Sequence, residues 1–112
     1  SDLDVIIDLE KVDQLDKISI GFLEDHDSWI FLPTQVSFSF SDDGISFDLG
    51  QKINVKEGKK NGEPNRCLVE AVELKTQARY VKVKANNQRI CPEWHVGAGE
   101  KSWLFCDEIV IE

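Results

Sequence analysis

A chain of 112 residues fits one domain spanning 1–112, and 41% hydrophobic residues suffice for a small core and exclude a disordered chain. Thirteen Lys and Arg against 21 Asp and Glu leave a net charge of −8. That balance argues against a nucleic-acid partner or an anionic membrane surface, both of which require clustered positive charge, and near-apolar runs such as Trp29–Pro33 are far too short for membrane insertion.

The dominant period along the chain is two. Val5, Ile6 and Ile7 form a short apolar strand, and Leu9, Val12 and Leu15, spaced by three, predict one short helical turn within Leu9–Asp16. Ile18, Ile20 and Phe22 alternate with Ser19 and Gly21. Val36, Phe38 and Phe40 alternate with Ser37, Ser39 and Ser41, and Asp42-Asp43-Gly44 then supplies a hairpin turn. Ile45, Phe47 and Leu49 resume the alternation, so 35–50 reads as a hairpin. Lys56–Arg66, rich in Lys, Gly and Asn, reads as an exposed and mobile connection. Cys67, Val69, Ala71 and Leu74 line a strand with a register break near Val72. Val81, Val83 and Ala85 face one side of the next, opposite Tyr80, Lys82 and Lys84. Trp103 to Ile111 closes the series. About eight strands separated by turns are the pattern of an all-β sandwich or barrel.

Three cysteines, Cys67, Cys91 and Cys106, form neither a disulfide framework nor a zinc spacing. They read as small buried hydrophobes, or as one bridge, with Cys91–Cys106 the pair considered, and a remaining thiol. No basic segment followed by an apolar stretch opens the chain, so no signal peptide is expected in it. A start at Ser1 with no methionine reads as a mature product or a piece of something longer.

Two loops carry aromatics among polar residues, Glu24 to Pro33 and Asn86 to Ser102. Such loops suit a ligand with an apolar face and a hydroxylated edge, as a sugar ring has. The candidate binding residues are Trp94, His95, Arg89, Asn87, Trp29 and His26. For each a structural role stands beside the functional one. Trp29 is expected in the core or covering its end and Trp103 in the core, Trp94 faces a ligand or stiffens its own loop, and His26 reads as a solvated loop residue. Arg89 offers a bidentate fork for a hydroxyl or carboxylate, or a surface ion pair. Cys91 and His95, four apart, match no cysteine-hydrolase signature, and Gly97-Ala98-Gly99 lacks the strand-to-helix context of a phosphate loop. Asp25, His26 and Asp27 are weak evidence for a metal.

The run Val5-Ile6-Ile7-Asp8-Leu9-Glu10, the hairpin Val36 to Phe47, Ala78-Arg79-Tyr80-Val81-Lys82-Val83 and Asp107 to Ile111 resemble, in order, the motifs of discoidin-like (factor 5/8 type C) domains. Gly21-Phe22-Leu23, Ser28 to Pro33, Cys91 to Gly99 and Trp103 to Glu108 are similar to a narrower version. It is the domain at the C-terminus of bacterial family-20 glycoside hydrolases (β-N-acetylhexosaminidases or chitobiases), notably from gut Bacteroidetes, which is grouped with family-32 carbohydrate-binding modules. The resemblance implies an antiparallel β-sandwich with a galactose-binding-domain-like jelly roll, N-terminally trimmed here. It implies a non-catalytic accessory domain that binds terminal N-acetylhexosamine or galactose of glycans, beside a catalytic domain in a periplasmic, cell-surface or secreted parent. The competing expectation is a structural module that packs on that catalytic domain. A monomer is expected. The family's structural calcium draws on a glutamate that Glu108 matches, so a calcium ion near Glu108 is the cofactor the resemblance implies.

Overall fold

The computed structural model describes residues 2–56, 63–88 and 90–112. Arg89 and most of the connection read at Lys56–Arg66 therefore lie outside the described residues. The described chain forms seven strands: β1 (Leu3–Leu15), β2 (Ile18–Glu24), β3 (Gln35–Ser41), β4 (Asp48–Asn54), β5 (Asn65–Ala71), β6 (Thr76–Asn86) and β7 (Cys106–Ile111), with one 3-10 turn at His26–Ser28. They make two antiparallel sheets, β1-β6-β3-β4 and β5-β2-β7. No helix among the described residues is long and apolar enough to cross a membrane.

The core is the meeting of two alternations. Ile18, Ile20 and Phe22 of β2 are buried from one sheet, and Val36, Phe38, Phe40, Val81, Val83 and Ala85 from the other. Each of these positions falls on the inward phase that period two assigns. Burying one such side chain contributes about 1.5–3 kcal/mol, so this set supplies most of the driving force.

Two local readings are corrected. Leu9–Asp16 holds no helical turn, because β1 continues through it. Its register against β6 shifts between Asp8 and Asp13, Glu10 takes φ 70°, and the Glu10 N–H donates to Asp8 Oδ1 at 2.7 Å. Leu9 and Leu15, six residues apart, share the inward phase of a strand and reach the core, while Val12 between them is 54% exposed, so the spacing by three only imitates a helix. The second correction concerns Ile45–Leu49. Asp43 accepts from the N–H groups of Ile45 (2.8 Å) and Ser46 (3.0 Å) and from Ser41 Oγ (2.9 Å), which winds the chain around its carboxylate. β4 begins only at Asp48, and Ile45 is left 85% exposed. Gly44 has φ 77° and lies against the Tyr80 ring, so both the turn and the close approach require glycine.

The cysteines form no bridge. Cys67 and Cys106 stand opposite Phe22 on either side of β2, so a whole strand separates them, about 9–10 Å against the 7 Å limit for a disulfide. Cys91 is buried in a loop, and all three thiols are free.

The registers define two ends. The 25–34, 55–64 and 87–105 connections leave from the end where Leu3 meets Ala85 and Glu24 meets Asn65. The turns at 16–17, 42–47 and 72–75 lie at the other.

Two predictions follow from this packing. A methyl group at Gly50 would run into the buried Phe40 ring, so Gly50→Ala is expected to cost about 1–3 kcal/mol, read from the urea midpoint. The second concerns acid. Arg79 holds the Asp8 carboxyl below its ordinary range, as the Ile45 N–H does for Asp43, Lys17 for Glu70 and Arg66 for Asp107. Folded values below the unfolded ones mean that this stabilisation is complete above pH about 4 and drains away as pH falls through the lowered values. Urea midpoints are expected to decline below pH 4, and a flat profile down to pH 2 would contradict the assignment.

Candidate functional site

The two aromatic loops meet at the loop-rich end. The first closes on itself: Asp25 and Ile30 exchange backbone hydrogen bonds (2.9 Å each), and the Trp29 N–H donates to the His26 carbonyl (3.1 Å). This needs Trp29 in the left-handed region, at φ 59°. The second loop is tied by Cys91 N–H to Glu100 O (2.7 Å), His95 N–H to Pro92 O (3.0 Å) and Gly99 N–H to Cys91 O (3.1 Å). His95 then joins the loops. Its Nε2 lies 2.7 Å from the His26 carbonyl oxygen, and the Gly97 N–H donates to its Nδ1 at 3.0 Å.

Around these bonds the rings form one cluster. His26 stacks on Phe31 (centroids 4.8 Å apart) and tilts against Trp94 (4.9 Å); His95 meets Phe31 edge-on at 5.1 Å and Trp29 at 6.0 Å. Four of the sequence candidates, His26, Trp29, Trp94 and His95, are thus brought together, but as packing partners. His26 is 2% exposed and His95 4%, so the solvated-loop reading of His26 is corrected: its ring fills the space between Phe31 and Trp94. Trp94 packs across onto His26 and Phe31 of the first loop, beside His95 of its own, and is half-buried. Trp29 is half-buried outside the sandwich core. Trp103 is 54% exposed, because Ser102 and Leu104 take the inward positions on either side of it, and Lys101 Nζ sits 4.7 Å from its ring centre. Asn87 is buried apart from the rings; its N–H donates to Asp2 Oδ1 (2.8 Å) and its Oδ1 accepts from Ser102 Oγ (3.3 Å).

Beside the cluster lies a concavity of about 190 Å³ whose walls include Glu24, Phe31, Pro33, Thr34, Val55 and Gln88. Glu24 is only 6% exposed, and its Oε2 lies 3.3 Å from His26 Nε2. Phe31 belongs both to this wall and to the ring cluster, so the cluster backs the pocket. An apolar wall with a carboxylate, a hydroxyl and an amide at its edge can hold one small ring bearing hydroxyls. Glu24, Phe31, Pro33 and Gln88 lie in the two loops that the sequence marks, but none of the lining residues was named as a binding residue. The signal for Glu24 was present: it follows Ile18, Ile20 and Phe22 at the next inward position. A larger hollow of about 370 Å³ at the opposite end runs from Phe40 to Gln77, past Asp43, whose carboxylate is engaged in its own turn.

Among the described residues no three His, Cys, Asp or Glu side chains gather to hold a metal ion. Glu108 is exposed on β7.

No family model matches the sequence, and no curated protein matches it either. Solved structures do. The C-terminal domain of a chitobiase from Bacteroides fragilis matches with a TM-score of 0.57 at 16% identity, over 100% of this chain and 63% of that one. The CBM32 module of a GH89 protein from Clostridium perfringens, solved in complex with GalNAc-β-1,3-galactose, matches with a TM-score of 0.51 at 18% identity, over 91% of this chain and 64% of that one. The fold is shared. It is the antiparallel β-sandwich of these modules, and this chain spans less than two thirds of the length of either.

His26→Ala removes a fully enclosed ring and leaves the Glu24 carboxylate buried without that partner. A loss of about 2–4 kcal/mol in unfolding free energy is expected from denaturant titration, and a loss below about 1 kcal/mol would show that the ring cluster is not tightly packed.

Proposed function

We propose that this chain is a non-catalytic glycan-binding module whose site is the pocket walled by Glu24, Phe31, Pro33, Thr34, Val55 and Gln88. The observation that carries the reading is a carboxylate only 6% exposed on the wall of an open, otherwise largely apolar pocket. A buried carboxylate is costly to keep unless it is hydrogen-bonded, and a sugar supplies hydroxyl donors at fixed spacing. In the pose this implies, the C–H face of one pyranose lies along the half-buried Val55 over the enclosed Phe31 and Pro33, and its hydroxyls reach toward Glu24, Thr34 and Gln88. The carbohydrate-bound neighbour of the same fold supports the reading. Terminal N-acetylhexosamine or galactose are the sugars proposed, and the parent a periplasmic, cell-surface or secreted family-20 hydrolase to which the module tethers substrate. Affinity for one sugar is on the order of 1 mM, because a small wet site offers few contacts.

A second reading has its own support. Trp94 is folded inward while Ile90, Trp103 and Phe105 stand more than half exposed, which suits a module that packs on a catalytic domain and binds no sugar.

One titration separates them. The 15N-labelled chain is mixed with N-acetylglucosamine, N-acetylgalactosamine or galactose at up to tens of millimolar. Saturating shifts at the Thr34, Val55 and Gln88 amides are expected for one sugar, and Glu24→Gln should weaken it about ten- to a hundredfold with a native spectrum. Silence with all three sugars would favour the packing module.

A further inference from the structure

The bonds around His95 fix more than a contact between loops. The His26 carbonyl can only accept, so the Nε2 that lies 2.7 Å from it carries a proton. The Gly97 backbone N–H can only donate, so the Nδ1 that it reaches at 3.0 Å carries none. The two bonds together are compatible with one form of the ring, the neutral imidazole with its proton on Nε2. The ring is 4% exposed, so water does not substitute for either partner. Its packing neighbours are the rings of His26, Trp29, Phe31 and Trp94, with the Glu24 carboxylate beyond His26.

The route onward from this imidazole is short. The carbonyl that it holds belongs to His26, and the same oxygen accepts the Trp29 N–H that closes the 3-10 turn. The His26 ring in turn stacks on Phe31 and reaches Glu24 Oε2, which places it against an apolar wall and the carboxylate of the pocket at once.

We propose that His95 is the positioning residue of this pocket: as the Nε2–H tautomer it latches the 91–100 loop to the 3-10 turn and so sets where Glu24 and Phe31 stand. Its effect on ligands rests on the glycan-binding reading above; the latch itself does not.

Two substitutions divide the two bonds. In His95→Gln the side-chain amide nitrogen falls where Nε2 was and still donates to the His26 carbonyl. In His95→Asn the side-chain oxygen falls where Nδ1 was and still accepts from Gly97, but the bond to His26 is gone. Long-range 1H–15N correlation of the wild-type ring at pH 7 is expected to show the proton on Nε2 alone. A proton on Nδ1, in the other tautomer or in an imidazolium, would overturn the proposal. Amide exchange at Trp29 and Ile30, measured without ligand, should stay near wild type in His95→Gln and quicken about tenfold in His95→Asn. Equal exchange in the two variants overturns it. Should His95→Asn fail to fold, His95→Gln decides alone, and wild-type loss of protection there counts against the latch. With whichever sugar binds the wild type, rescue by Gln and a weakening of about tenfold with Asn is expected. A wild type that binds no sugar refutes the glycan reading, while tautomer and exchange still decide the latch.

Discussion

The three-stranded sheet hangs on β2. β5 and β7 each pair with this strand and not with each other, so the whole layer depends on how β2 is held against the opposite sheet. What holds it is the burial of Ile18, Ile20 and Phe22 on one face. The strict alternation that puts those three inside also puts Glu24 inside, at the last position of the strand. Three buried apolar side chains contribute several kcal/mol in total, which is comparable with the penalty for drawing one carboxylate out of water. The strand can therefore carry a charged group into the loop-rich end, provided something there bonds it. His26 does so at 3.3 Å.

The loop end is organised in the same economical way. The His26 carbonyl of the first loop meets the His95 imidazole of the second, and beside it the Trp29 carbonyl accepts from the Trp103 N–H (2.9 Å) while the Phe31 N–H donates to the Trp103 carbonyl (3.1 Å). Around that bond the aromatic side chains stack edge-on and face-on in a cluster separate from the sandwich core. This explains why Trp94 is half-buried although it sits in polar sequence. It also explains why Trp103, next to a buried serine, is turned outward. The pocket is a by-product of this arrangement: its wall at Phe31 is the near side of the cluster, and Val55 and Gln88 close it from two other connections.

Much of the sandwich was legible in the sequence, since Ile18–Phe22, Val36–Ser41 and Tyr80–Ala85 show a clean period of two and fold accordingly. What was misread had specific causes. Leu9, Val12 and Leu15 are spaced by three as on a helix, but β1 runs through them with Leu9 and Leu15 inward and Val12 exposed. The Asp43 carboxylate, by gathering two amides, consumed residues that alternate as though they were strand. The meeting of the two aromatic loops was foreseeable from their composition, but its inward sense was not, because a bond from an imidazole to a distant backbone carbonyl leaves no trace in either loop's sequence. The pocket was legible only in part: Glu24, Phe31 and Gln88 lie in the two loops marked by composition, but Val55 comes from a third connection, and only the phase of β2 hinted that Glu24 turns inward.

The pairing of β2 with β7 has a consequence of another kind. Ser19 lies against Val110, so one edge of a strand from near the start of the chain is paired only by residues about ninety positions later. β1 likewise waits for β6. Chain entropy must be given up over these long separations before the contacts that compensate it can form, which places folding on the order of milliseconds to seconds and makes it nearly all-or-none. During synthesis one edge of β2 would have no partner until β7 had emerged. In that interval the exposed edge would be open to pairing with other chains.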